Sequence, residues 1–261
     1  MATLVFFHAH PDDEAVSTAG SMAKAAAEGH RVVLVTATRG EHGEVAEGYL
    51  KPGEELWQRR VEEVTESARI LGCARHAFLG YVDSGMMGTP ENEAPESFWQ
   101  ADLDEAAERL AQILREEQTD VLVAYDENGN YGHPDHIQVH RVGVRAAELA
   151  GVAQVFEATM NRDAIIRLMA AAREMGGIEG MEQPEDFDPS GFGTPESLIT
   201  TEIDVADYVA TKRKAMEAHG SQIADTSFFL AMPPEVFATA FGTEWYIHRG
   251  VPSESHETSL V

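Results

Sequence analysis

Two short runs of ionisable residues carry the chemistry open to this chain. The first is His10-Pro11-Asp12-Asp13-Glu14, and the second, far along the sequence, is Tyr131-Gly132-His133-Pro134-Asp135-His136. A plain strand-to-helix turn needs at most one acid, to cap the helix, and Asp12 or Asp13 alone would serve for that. Together the runs offer two imidazoles and one carboxylate, with a coordination position left for water, a common arrangement for catalytic zinc. A structural zinc would take four protein ligands, usually with cysteines, and the only cysteine, Cys73, lies elsewhere. Adjacent Asp12 and Asp13 cannot both point the same way from an extended turn, so one is expected to bind metal while the other stays available as a base. A metal lowers the pKa of a water ligand from about 16 to about 7, and a carboxylate in reach takes the proton as attack on a carbonyl begins. One of the paired histidines suffices as a ligand. The other is then left to donate a hydrogen bond to the developing oxyanion or a proton to the leaving amine. Asp135, between them, is a candidate to fix a ring by hydrogen bonding.

The surrounding elements place both runs at one edge. Short β-branched or aromatic stretches at residues 4–7, 31–37, 77–79, 121–124 and 154–156 read as strands. Between them, residues 14–28, 54–71, 101–118 and 134–150 read as helices, and Gly29, Gly72 and Gly151 stand where three of these four must stop. Strict alternation predicts a Rossmann-like α/β fold, a mostly parallel sheet flanked by helices. In such sheets ligands bind at the carboxyl ends of the strands, where both runs fall. Residues 81–97 are too long and polar for an ordinary connection and predict a functional loop. After Met175 the pattern weakens, residues 176–196 are rich in Gly, Pro and acids, and a last helix is expected near residues 206–218. The expected organisation is a catalytic domain over residues 1–175 and a cap or extension over residues 176–261 that completes the substrate pocket.

At this point the chain resembles the LmbE-like (PIG-L-type) zinc-dependent N-deacetylases, on His8-Ala9-His10-Pro11-Asp12-Asp13-Glu14 paired with Tyr131-Gly132-His133-Pro134-Asp135-His136. Supporting stretches are Gly40-Glu41-His42-Gly43-Glu44-Val45, Arg60 with Glu63, and Leu79-Gly80 followed by Asp83-Ser84-Gly85-Met86. Within the family it looks most like the members of mycothiol metabolism, and the match runs from about Leu4 to about Val144. The resemblance implies that His10, Asp13 and His136 hold the metal, that Asp12 is the general base and that His133 stabilises the tetrahedral intermediate. It further implies that Tyr131 leans over the site with a phenolic hydrogen bond. Ser17, Glu44, Arg60 and Asp83 would line a sugar pocket, although Arg60 with Glu63 also reads as a surface pair on a helix and Asp83 as a turn residue. His8 reads as a packed neighbour rather than a fourth ligand, His140 as a buried or solvated histidine, and His30, His42, His76, His219, His248 and His256 receive no role. Trp57, Trp99 and Trp245 read as core or loop anchors, with sugar stacking the second option.

The implied activity is removal of an N-acetyl group from an N-acetylglucosamine-type amino sugar such as N-acetylglucosaminyl-inositol. An amidase acting on a mycothiol S-conjugate and a deacetylase of secondary metabolism share the same chemistry, and a non-catalytic metal-dependent sugar-binding protein is the reading from another class. Zinc is the expected cofactor, with iron(II) open because two histidines and a carboxylate suit it as well. A dinucleotide-binding oxidoreductase on a similar sheet is a further reading, and against it His-Pro-Asp-Asp fills the turn where a glycine-rich fingerprint would stand and puts acids where a pyrophosphate would sit. The 261 residues carry a formal net charge of -26, with 45 acids against 19 basic residues spread along the chain, which repels nucleic acid and anionic membranes. Hydrophobic residues at 43% suffice for a large core, and no apolar run approaches the roughly 20 residues of a membrane span. A single cysteine and the lack of a secretory pattern at the start predict a cytoplasmic protein. The expected partner is a small N-acyl amino sugar, and a homo-oligomer is left open.

Overall fold

The computed structural model describes residues 1–174 and 191–261. Its strands are β1 (Thr3–His8), β2 (Arg31–Thr36), β3 (Arg75–Phe78), β4 (Val121–Tyr125), β5 (Gln154–Thr159), β6 (Thr201–Asp204) and β7 (Thr243–His248). They form one seven-stranded sheet in the order β3-β2-β1-β4-β5-β7-β6. β1 to β5 pair in parallel, while β7 runs antiparallel to β5 and β6 antiparallel to β7. Leu4 to Phe7, Val32 to Val35 and Val121 to Tyr125 are buried without a break, the pattern of parallel strands covered on both faces. Each such large side chain contributes about 1.5–3 kcal/mol when taken out of water, which is what locks the central strands in place.

The helices are α1 (Asp13–Ser17), α2 (Ala19–Ala27), α3 (Leu56–Ile70), α4 (Leu103–Glu116), α5 (Gly129–Gly132), α6 (Pro134–Ala150), α7 (Arg162–Glu174), α8 (Val209–Ala218), α9 (Phe228–Ala231) and α10 (Pro234–Phe241). The single helix expected over residues 14–28 is two. Thr18 breaks it with φ -133, and its hydroxyl lies 2.9 Å from His8 Nε2, so a side-chain bond to β1 takes the place of helix continuity. α6 stops at Gly151, whose φ of 74 is the left-handed conformation that ends helices. α3 buries Leu56, Arg60, Glu63, Val64, Ser67 and Ala68 at helical spacing, so three polar side chains occupy core-facing positions, and this helix packs on α8.

β1 is flanked by β2 on one side and β4 on the other, and the connections from β1 and β4 leave in opposite directions. That is a topological switch point, and the crevice it opens lies at the carboxyl ends of exactly these two strands' turns, where both ionisable runs sit. β6 and β7, absent from the sequence expectation, extend the same sheet beyond β5, and α8 lies where the last helix was expected. Most of the Gly, Pro and acid-rich stretch at residues 176–196 lies outside the described residues. No helix among the described residues is long and apolar enough to cross a membrane.

Candidate active site

The turn after β1 is folded by its own acids. Asp13 Oδ2 accepts the His10 N–H at 2.7 Å, Glu14 Oε2 accepts the Asp12 N–H at 3.1 Å, and Asp12 caps α1 with φ 114, a conformation that costs a residue with a Cβ. Strain of this kind persists where the surroundings over-determine it, and here the contacts all converge on Asp12 and Asp13. The second run enters from the other side of the switch point. His133 caps α6 and accepts the Asp135 N–H on Nδ1 at 3.1 Å, Pro134 occupies the first turn, and His136 follows one helical turn from the cap. Gly129 permits the loop to close over it, because a Cβ there would lie 2.5 Å from the His136 Cβ.

The two runs meet. His10 Nδ1 is 3.4 Å from Asp13 Oδ2, and His136 Nε2 is 3.3 Å from Asp13 Oδ1, while the His10 and His136 rings are 5.4 Å apart. His10, His133 and His136 also bring one ring nitrogen each within 4.8 Å of one another. His10 Nε2 faces Asp135 Oδ2 at 3.1 Å and Asp83 Oδ1 at 3.5 Å. Asp135 is fully buried and is held by the Ser84 N–H at 2.9 Å and by the Ser84 hydroxyl. Burial alone would push His10 down, yet Asp83, Asp13 and Asp135 hold it well above the usual imidazole range. Burial likewise resists ionisation of Asp13, and His136 and His10 overcome it, keeping that carboxyl well below the usual range.

This donor set fits a divalent cation. Ligands about 2.0–2.1 Å from a tetrahedral ion lie about 3.3–3.4 Å apart, and Asp13 makes that spacing to His10 through one oxygen and to His136 through the other. A carboxylate on the far nitrogen of His10 is the partner a metal-binding histidine normally has, since it holds the proton there and turns the other lone pair toward the ion. Asp12, Asp13, Asp83 and Asp135 crowd negative charge around His10, with Arg60 the positive side chain set against Asp12.

Asp12 stands beside this cluster with its side chain 23% exposed, and its Oδ1 accepts from Arg60 Nη2 at 3.1 Å. Burial raises its pKa to about 6, with Arg60 pulling the other way and Asp13 adding to the rise. His133 is pushed down to about 4 by burial and by His10 and His136, so it is neutral, and with Nδ1 accepting the Asp135 N–H its proton sits on Nε2. The Tyr131 hydroxyl is 3.5 Å from His136 Nε2 over the mouth of the site.

A cavity of about 960 Å³ opens here, and Ser17, Glu44, Arg60 and Asp83 all line it. Arg60 and Glu63 are no surface pair: both are buried, Arg60 donates to the Pro11 and Gly40 carbonyls and to Asp12, and Glu63 accepts from the Ser221 N–H and hydroxyl. Gly40 allows this, as a Cβ there would lie 2.0 Å from Arg60 Nη1. Asp83 faces His10 and accepts the Gly85 and His42 N–H groups, which makes it more than a turn residue. His8 packs between the Tyr125 and Thr18 hydroxyls, and His140 bonds the Tyr125 carbonyl; neither lines the cavity.

Some contributors escaped the sequence reading. Lys212 and Gln222 line the cavity from the C-terminal third, beside Trp245, and Asn130 lines it from the Gly129 loop, where it holds φ 65. His219 lies 2.6 Å from Glu14 Oε1, with both side chains fully buried. Burial would neutralise both, but each charge holds the other, leaving Glu14 at about 2 and His219 above its usual range. Nothing local in the sequence marks this pair, whose members are 205 residues apart.

A doubly wound sheet whose two central strands each deliver imidazole and carboxylate to one mouth, with a further carboxylate beside them, defines a hydrolytic deacetylase built around a cation site. The chain belongs to the PIG-L family, described as GlcNAc-PI de-N-acetylase, which matches residues 5–147. It is 42% identical to 1D-myo-inositol 2-acetamido-2-deoxy-alpha-D-glucopyranoside deacetylase 1 of Catenulispora acidiphila, over 98% of this chain and 86% of that protein. It is 43% identical to a deacetylase of the same description from Acidothermus cellulolyticus, over 94% of this chain and 88% of the other. Among solved structures it is similar to N,N'-diacetylchitobiose deacetylase from Pyrococcus horikoshii, with a TM-score of 0.55 at 25% identity, covering 90% of this chain and 72% of that one. A deacetylase of teicoplanin biosynthesis shares the fold, with a TM-score of 0.60 at 20% identity over 96% of this chain and all (100%) of the other.

Proposed function

We propose that this deacetylase removes the N-acetyl group of an N-acetylglucosamine-type sugar, N-acetylglucosaminyl-inositol being the substrate its curated relatives are named for. His10, Asp13 and His136 hold a divalent ion, with zinc the first choice for this donor set. When bound, such an ion supplies Lewis acidity, making water acidic enough to lose a proton near neutral pH and polarising the amide carbonyl. Asp12 would take a proton from the attacking water and return it to the amide nitrogen as the C–N bond breaks, so that acetate and the free amine leave. The His133 Nε2–H donates to the oxygen on which negative charge develops, and Tyr131 adds a phenolic hydrogen bond from above. Ser17, Glu44 and Asp83 offer polar groups to sugar hydroxyls, and Asp135 orients His10. Residues 1–175 supply the cation site and the base, while β6, β7 and α8 of residues 176–261 continue the same sheet and core and complete the pocket, in a cytoplasmic enzyme.

The observation that carries this reading is the Asp13 carboxylate set 3.3–3.4 Å from two imidazoles, with Asp12 adjacent and separately held by Arg60. The test is acetate release from N-acetylglucosaminyl-inositol. Turnover is expected with zinc, to vanish with a chelator and to return on adding the metal back; a chelator-insensitive rate or no acetate from this sugar counts against the proposal.

A second reading rests on apolar side chains that line the same cavity, Met160, Leu168, Phe228, Phe229 and Phe241 among them, which are unsuited to inositol hydroxyls. It favours an amino-sugar amide that carries an apolar group, such as a thiol S-conjugate, and parallel assays of the two substrates separate the readings.

The position of Arg60 sets an expectation for pH. As a base Asp12 must be ionised, so kcat/KM falls as pH drops through its pKa, about 6 in the metal-free protein. Arg60 holds that pKa down, and removing its charge in Arg60→Gln raises it. The acid limb of the kcat/KM profile should therefore move to higher pH in Arg60→Gln, and an unmoved limb would show that the limb belongs to another group.

A further inference from the structure

Glu14 is a fully buried carboxylate that touches the reaction centre only through the backbone. Its Oε2 accepts the Asp12 N–H at 3.1 Å, and its Oε1 accepts from His219 Nε2 at 2.6 Å and from the Ser67 hydroxyl at 2.5 Å. A carboxylate removed from water at this depth needs its partners, and an ionised hydrogen bond is about twice as strong as a neutral one. His219 is the charged partner; it is 0% exposed and sits just past the end of α8, where its own N–H is tied to the Met216 carbonyl. Asp12 meanwhile holds φ 114, and the peptide that leads into it is held by side chains at both ends, its Pro11 carbonyl by Arg60 and its N–H by that Glu14 oxygen. The three links form one line from the C-terminal third of the chain to the peptide of the base.

We propose that His219 is a positioning residue: through Glu14 it holds the Asp12 peptide in its left-handed conformation and so aims the Asp12 carboxylate. The inference rests on Asp12 being the base. His219, the residue that follows α8, thereby takes part in turnover without lining the cavity. Ser67, from the core-facing side of α3, braces the same carboxylate and marks the line as a three-element junction. A displacement of about 1 Å at a reacting group costs on the order of a hundredfold, so loss of one anchor through an intermediate residue should cost on the order of tenfold.

The test is a double-mutant cycle on the metal-loaded enzyme with Asp12→Asn, His219→Gln and the pair, reading kcat, KM, metal content and melting temperature. His219→Gln is expected to lower kcat about tenfold with KM within about twofold and metal content unchanged, and to cost nothing further in the Asp12→Asn background, because there is no base left to aim. Ser67→Ala, a smaller change that leaves His219 in place, should give a loss of a few-fold in the same manner, and it carries the test if His219→Gln does not fold. An equal loss from either variant in both backgrounds, or a change in KM alone, overturns the positioning role while leaving the base assignment intact. Full turnover in Asp12→Asn by itself removes the base and this inference with it.

Discussion

Asp12→Asn is expected to keep its metal and its affinity for the sugar while losing turnover by about a hundredfold to ten-thousandfold, the range ascribed to a positioned acid or base. The substitution is chosen for the backbone as much as for the side chain. Asp12 sits at φ 114, and asparagine is among the few residues with a Cβ that accept positive φ, so the turn should survive. The amide oxygen can also retain the bond that Oδ1 accepts from Arg60 at 3.1 Å. What disappears is the ability to take a proton. Turnover by acetate release, metal content by elemental analysis and sugar affinity by calorimetry together decide it. Turnover within a few-fold of the parent would show that another group is the base, and a parent that binds sugar without hydrolysing it would leave a binding protein in which Asp12 has no task.

The reach of the sequence can be judged element by element. β1, β2 and β4 were legible because strands buried on both faces must be apolar along their whole length, and that run of residue types has few other uses. The two ionisable runs were legible as one site because parallel strands put their carboxyl ends on one edge, and the structure brings His10, Asp13 and His136 together there. β6 and β7 were not. β6 is only four residues long, β7 alternates between half-buried and buried positions, and they gain their identity only as β7 pairs onto β5 and β6 onto β7, contacts made across the intervening chain. The break at Thr18 was hidden for the same reason, since what replaces the helical continuity is a hydroxyl bonded to His8 on another element. α3 held a clue of a different kind: Arg60, Glu63 and Ser67 lie on one helical face, which reads equally as a solvated stripe until α8 is seen to cover it. Polar residues at core-facing positions signal either error or function, and here each holds a part of the catalytic turn or of the chain that packs against it.

His136→Gln is expected to do the converse of Asp12→Asn, losing the metal first and turnover as a consequence. His136 is buried, sits on the first turn of the long helix α6, and points Nε2 at Asp13 from 3.3 Å. It has no room to be replaced by a neighbour's adjustment, because the Gly129 loop closes so tightly that even a methyl group there would meet the His136 Cβ at 2.5 Å. Loss of an outer hydrogen-bond partner of a metal ligand costs about 10–100-fold in metal affinity, so loss of the ligand itself should exceed that. The Asp13 carboxyl, held far down by His136 and His10 together, loses the first of these and takes up a proton more readily, which weakens the cation site again. Dialysed His136→Gln should therefore retain little zinc, show turnover near background, and regain part of it only at high added zinc. The fold should persist, since the sheet core does not depend on this ring. Zinc retained at parental level in that variant would move the site to the alternative donors around His10, where Asp83 and Asp135 lie within reach of its far nitrogen, and would take the assignment of Asp13 and His136 with it.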